Sequence, residues 1–167
     1  AIQFRFRGAG AELDPEGRRG TANLLSSLLD EGAGELDSQA FQGRLEAMSV
    51  TLRYRAGLDA FSGSFYTLNR YRDEAVELLR LSMTAPRFDR EPVERIRNQI
   101  LVGLKRAETD PDTVADRALW SGLFPDHSYG QPVRGDIASV GAIEIGDLRR
   151  HLARGLTRDR LTVGVVG

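Results

Sequence analysis

The chain has no cysteine and only two histidines, His127 and His151, among its 167 residues. Without thiols there can be no disulfide, no thiolate nucleophile and no cysteine-based metal site. The lack of cysteine suits an oxidising or a reducing compartment equally. His127 lies in a polar loop beside Tyr129, and His151 falls on a helical stretch near the end. No spacing brings the two together with a carboxylate, so His127 reads as a loop hydrogen-bonding residue and His151 as a surface helix position. Surplus charge is missing as well: 23 basic and 24 acidic side chains give a formal net charge of -1. Such a balance creates no field to gather nucleic acid or anionic lipid. The short clusters Arg18-Arg19 and Arg149-Arg150 read as solvated faces rather than phosphate sites. No run approaches the roughly 20 apolar residues that a membrane-spanning helix requires.

What is present is ordinary globular material, 41% hydrophobic and 28% charged. A chain of this size fits one domain and buries about two-thirds of its unfolded surface. Residues 1–7 alternate around Ile2 and Phe4 as a strand, ended by Gly8 and Gly10. Asp14-Pro15-Glu16-Gly17 has the chemistry of a turn. From Thr21 to Asp30 the apolar residues Ala22, Leu24, Leu25, Leu28 and Leu29 recur at helical spacing, which predicts a largely buried helix stopped by Gly32 and Gly34. Asp37 or Ser38 is placed to cap a helix with Phe41, Leu45 and Met48 inward. Val50, Leu52 and Tyr54 alternate with Thr51, Arg53 and Arg55, and a second alternation runs from Ala60 to Leu68, so this region predicts an antiparallel hairpin.

Further helices are predicted near 72–83, with Ala75, Val76, Leu79 and Met83, and over 90–108, with Val93, Ile96, Ile100, Leu101 and Leu104. Asp89 is the expected cap of the second. Asp110-Pro111 marks another helix start, and Val114, Ala118, Leu119 and Leu123 form its apolar stripe. A loop over about 125–140, a helix over 144–154 and a buried strand at Leu161–Val166 complete the chain. The fold class is therefore α+β: a mixed, mainly antiparallel sheet with helices packed on it.

Catalytic groups are scarce. Ser26 and Ser27 lack the Gly-x-Ser-x-Gly elbow and any identifiable base. Gly8-x-Gly10 does not continue into a dinucleotide fingerprint. Gly63, flanked by Ser62 and Ser64 inside a strand, marks either a bulge or a close backbone approach. Asp59, Arg53, Arg55, Arg70 and Arg72 could wall a cavity or simply meet water. Tyr54, Tyr66 and Tyr71 read as rim or packing residues.

Residues 20–30, Gly-Thr-Ala-Asn-Leu-Leu-Ser-Ser-Leu-Leu-Asp, resemble the first helix of the insulinase and processing-peptidase family. That family carries an inverted zinc motif, His-x-x-Glu-His, at the positions held here by Asn23, Ser26 and Ser27. The likeness continues through Asp14-Pro15-x-Gly17, Leu29-Asp30-Glu31-Gly32, Phe41-x-x-x-Leu45-Glu46, Ala75–Leu79, Pro86-Arg87-Phe88-Asp89 and Val93-Glu94-Arg95. Near the end, Phe124-Pro125-x-His127-Ser128-Tyr129-Gly130, Gly135 and Asp147-Leu148 fit the family's N-terminal module. The family's third zinc ligand, a glutamate, would fall at about Val102 or Gly103.

The resemblance implies a processing-peptidase-like module, related also to the LuxS-like metallohydrolases, with no catalytic residue, no metal and no cofactor of its own. It implies pairing with a zinc-bearing homologue or self-association, and a share in an extended-peptide chamber that Ser62, Gly63 and Ser64 help to line. The alternative is a structural or assembly subunit that binds no peptide. It further implies that 1–167 is a single module of a longer bacterial protein, lacking a first strand and a second, C-terminal module. The implied location is periplasmic or secreted.

Overall fold

The computed structural model describes every residue, Ala1–Gly167. Four strands, β1 (Ile2–Arg7), β2 (Thr51–Ala56), β3 (Ala60–Tyr66) and β4 (Leu161–Val165), form one sheet in the order β2-β3-β1-β4. All three pairings are antiparallel. Alternation divides each strand between two faces. Phe4, Phe6, Leu52, Phe61 and Phe65 turn inward, while Gln3, Arg5, Arg53, Arg55, Ser62 and Ser64 occupy the open face. The α+β expectation holds, with a wholly antiparallel sheet.

Gly63 is no bulge. It sits in unbroken register between Phe4 and Tyr54. A Cβ there would come within 2.2 Å of the Phe4 ring, so the missing side chain is the space that the ring fills. Phe4 meets Tyr54 edge-on at 5.8 Å between centroids, and the Tyr54 hydroxyl hydrogen-bonds with Ser82.

The inward face is covered by α1 (Thr21–Ser26), α2 (Ser38–Ala47), α3 (Arg72–Thr84), α4 (Arg90–Ala107) and α7 (Ile145–Gly155). Two further helices, α5 (Pro111–Leu123) and α6 (Ile137–Ala142), precede α7. The central α1 touches β2, α4 and α7. Leu24, Leu25 and Leu29 have no exposed surface, and burying each is worth roughly 1.5–3 kcal/mol. Asp37 caps α2 by accepting from the Ala40 N–H at 2.8 Å. In α3, Leu78 rather than Val76 joins Ala75 and Leu79 in the interior. Asp89 does not cap α4 with its side chain; it accepts from Arg87 at 2.6 Å instead.

Four other expectations fail for identifiable reasons. α1 ends at Ser26, a turn early, because both serines compete for its backbone. Continued α-helix would send the Ser27 N–H to the Asn23 carbonyl. The Ser26 and Ser27 hydroxyls donate to that oxygen instead, at 2.8 and 3.2 Å, and the Ser27 N–H goes to Leu24 O at 3.1 Å. The α5 stripe is exposed: Val114 at 50%, Leu119 at 57% and Leu123 at 61%, with Ala118 exposed between them. Its periodicity is sound, but α5 packs chiefly against the Ser128–Gly130 turn, and these side chains are left uncovered. β4 is likewise exposed along its length, because it is the sheet's outermost strand and no helix reaches over it. The expected 125–140 loop contains most of α6, a six-residue helix started by reciprocal Asp136–Ser139 hydrogen bonds.

Candidate functional site

The N-terminus of α1 is built from distant pieces. Gly20 precedes the helix in the left-handed region, φ 94°, and has no side chain with which to cap it. Asp14 does so from the preceding turn, its two carboxylate oxygens accepting from the Gly20 and Ala22 N–H groups at 2.8 Å each. The 131–136 loop closes over this end. A Cβ on Gly20 would lie 2.7 Å from Arg134 O, and one on Gly135 would lie 2.2 Å from Arg19 O. Arg19, expected on a solvated face, donates to Ala11 O and, at 3.0 Å, to Ser128 O. Arg18 and Arg150 both pair with the buried Asp147 carboxylate. Arg18 and Arg19 thus tie the segment before α1 to α7 and to Ala11 and Ser128, whereas the Arg150–Asp147 pair lies within α7.

His151 departs most from its sequence reading. It is 3% exposed, inside the molecule and not on its surface. Its neighbours in the register, Leu148 and Gly155, are buried with it, and that shared stripe was the signal available in the sequence. Nε2 lies 3.1 Å from Ala9 O. A carbonyl only accepts, so Nε2 carries the proton and donates. Nδ1 then faces Asp14 Oδ1 at 3.5 Å, too far for a strong hydrogen bond. Burial pushes the Asp14 carboxyl up to about 6, against the pull of the Ala22 and Gly20 N–H groups and Arg19. Burial also pushes His151 below its ordinary value, with the Ala9 hydrogen bond opposing. Both shifts favour the neutral forms. This is a buried structural pair, not an ion pair and not an exposed acid–base couple. His127 behaves as expected, its Nδ1 accepting from the Tyr129 N–H at 3.1 Å.

The positions on α1 itself can do little chemistry. Ser26 and Ser27 spend their hydroxyls on the Asn23 carbonyl, and neither contacts a histidine. On α4, Val102 is 52% exposed. A Cβ on Gly103 would come 2.8 Å from the Arg134 guanidinium, so a cation borders this position.

The sequence profile of the insulinase family, peptidase family M16, matches residues 7–137. The chain belongs to this family. It is 28% identical over 166 residues to a Helicobacter pylori protein, the non-peptidase homolog YmxG, covering 99% of this chain and 38% of that one. It is 24% identical over 148 residues to an uncharacterised zinc protease of Mycobacterium leprae, covering 89% of this chain and 33% of the relative. The chain thus spans well under half the length of these relatives. In fold it is similar to a peptidase M16 inactive domain from Pseudomonas fluorescens, with a TM-score of 0.91 at 24% identity, covering 97% of this chain and 39% of that one. It is also similar to pitrilysin, with a TM-score of 0.79 at 16% identity, covering 97% of this chain and 18% of that one.

The donor set of this M16 module does not fit zinc. Asn23, Ser26 and Ser27 offer one neutral amide and two committed hydroxyls, and the chain has no group of three or more His, Cys, Asp or Glu side chains that could hold a metal. Ser26 cannot replace a glutamate as general base near neutral pH. The module is a non-catalytic homologue of a zinc metallopeptidase.

The open sheet face is the other candidate surface. Across it run the rows Arg55–Ser62–Arg5–Thr162 and Arg53–Ser64–Gln3–Gly164. The expected substrate residues divide here. Ser62 and Ser64 face the open side, while Gly63 faces the core, and the β3 backbone is paired on both edges. Among the arginines, Arg53 and Arg55 were noted from the sequence. Arg5 joins them only through strand pairing, which no local pattern reveals.

Proposed function

We propose that this chain is a non-catalytic peptidase-family module that pairs with a zinc-bearing homologue and contributes one wall of a peptide-binding chamber. The observation that carries the reading is an intact M16 frame around replaced zinc positions, Asn23, Ser26 and Ser27. The partner supplies metal, water and general base; this module supplies surface. Support for pairing comes from the apolar side chains left uncovered on α5 and β4, among them Leu119, Trp120, Leu123, Val163 and Val165. Exposed large apolar side chains grouped on one element are characteristic of association faces. Support for the wall comes from the open sheet face, where Ser62 and Ser64 lie between arginines. We further propose a bacterial periplasmic or secreted location, which fractionation of tagged protein tests directly.

The test of function is affinity capture of the protein from its native extract, followed by peptidase assays on what is recovered. Recovery of a homologue with an intact His-x-x-Glu-His helix, whose turnover rises when this protein is added, supports the proposal. A homologue whose turnover is unaffected, or recovery of assembly proteins alone, would move the role to a purely structural subunit.

A further inference from the structure

We propose that the open face of the sheet is a recognition trough for an extended acidic peptide, with Arg5, Arg53 and Arg55 as its carboxylate contacts. The inference rests on the chamber-wall reading above and names the substrate class that this wall selects. The trough has a volume of about 690 Å³ and is lined by Gln3, Arg5, Arg53, Arg55, Ser62 and Ser64, among others. Its floor is the small hydroxyl row of β3, and its sides are the longer side chains of β2 and β1. Neighbouring strands lie about 4.8 Å apart, so β2 and β1 stand roughly 10 Å apart across β3. That width admits one extended chain.

The charge on this face is one-sided. Arg5, Arg7, Arg53 and Arg55 all project to the open side, and none of them joins an ion pair, although nine such pairs exist elsewhere in a chain of formal charge -1. Asp59, in the turn between β2 and β3, is the nearby acid. Edge protection accounts for arginines on β2, since charged side chains discourage edge-to-edge pairing. It does not account for Arg5, which sits on an interior strand between β3 and β4.

The spacing fits the ligand. Arg53 and Arg55 are two residues apart on one strand, about 6.8 Å. Alternate side chains of an extended peptide have the same separation, so glutamates at alternate positions meet them in step, and Arg5 closes on the peptide from the far side of Ser62. A peptide lying here cannot take backbone hydrogen bonds from β3, whose edges are both used. Recognition therefore depends on side chains, and hence on charge. A peptide added to the free edge of β2 would instead bind through its backbone with little regard to charge. Nucleic acid is the less suitable polyanion, because no aromatic platform stands between the arginines.

The experiment is fluorescence anisotropy of the 167-residue chain with a short labelled peptide carrying Glu at alternate positions. Matched peptides carry Gln or Lys at those positions, and an oligothymidylate serves as competitor. The Glu peptide is expected to bind about tenfold more tightly than the Gln peptide, each of the three ion pairs contributing about twofold. Its binding should weaken as salt rises to about 0.3 M. Arg5→Gln with Arg55→Gln should cut the preference to about the twofold that Arg53 alone supplies, without moving the thermal midpoint, since both side chains are exposed. Arg5→Glu with Arg55→Glu should transfer it to the Lys peptide. Equal binding of Glu and Gln peptides would overturn the trough while leaving a peptide-binding wall intact. Absence of all peptide binding would overturn both. Tighter binding of the oligothymidylate than of the Glu peptide would overturn the peptide assignment.

Discussion

Asp14 has no exposed side-chain surface, yet it holds the first two free N–H groups of the central helix. Removing it leaves those donors buried without an acceptor, so Asp14→Ala should cost about 1–3 kcal/mol in urea unfolding. Its titration adds a pH signature. A carboxyl raised from 3.8 to about 6 is favoured by the fold in its protonated form. The stability it contributes is full below about pH 4 and is lost as pH rises through 6, a change of about 3 kcal/mol for two pKa units. His151 has the opposite sign. Its folded pKa is held below 6.5, so its contribution is full above that value and is lost as pH falls. Asp14→Asn removes the first slope only. The substitution should therefore cost more at pH 4.5 than at pH 7, and an unchanged cost across that range would show that the carboxyl titrates normally. None of this is legible locally, because Ala9, Asp14 and His151 meet only when α7 packs beside α1.

Among the elements, periodicity is a dependable guide to what forms and a poor one to what covers it. β1, the β2–β3 hairpin, α3 and α4 are readable from apolar spacing because their partners lie within the same chain. α5 and β4 have equally clear patterns but face outward, and a one-dimensional pattern contains no term for the missing neighbour. Substitution tests the distinction. Leu119→Gln and Leu123→Gln on α5 should change the stability of the isolated chain by no more than about 0.5 kcal/mol, whereas Leu25→Ala in α1 should cost about 2–5 kcal/mol. If both sets cost the same, α5 is buried in solution. Inside the sheet, Gly63→Ala drives a methyl into the Phe4 ring and should cost about 1–3 kcal/mol. Combining it with Phe4→Leu should give less than the sum of the two single effects, because the residues share one space. Additive costs would mean that the ring already has room to move aside.

For the whole molecule, family frame and family chemistry have come apart, and the degree of separation can be measured. The replaced motif was legible at once as Asn23, Ser26 and Ser27. What the sequence could not convey is how the backbone and neighbours of those positions are arranged. The helix ends at Ser26, Ser27 is its C-cap with ψ near 1°, and Arg134 lies beside Gly103. A zinc site needs two imidazoles from a continuous helical turn and a third protein ligand from elsewhere. Restoring only the motif, through Asn23→His, Ser26→Glu and Ser27→His, supplies the first two ligands and the base but leaves Val102 and Gly103 without a carboxylate. Removing both serines also frees the Asn23 carbonyl, so the helix can extend and align the new imidazoles. The triple variant should bind zinc no more tightly than on the order of micromolar, with fewer protein ligands than a closed site. It should hydrolyse no peptide above the rate of the unaltered chain. Nanomolar zinc affinity with chelator-sensitive cleavage would mean that a third ligand is already in place and that three substitutions alone had silenced an otherwise competent enzyme. Weak, inactive binding would place the loss in the frame as well as in the motif, as the proposed role of chamber wall requires.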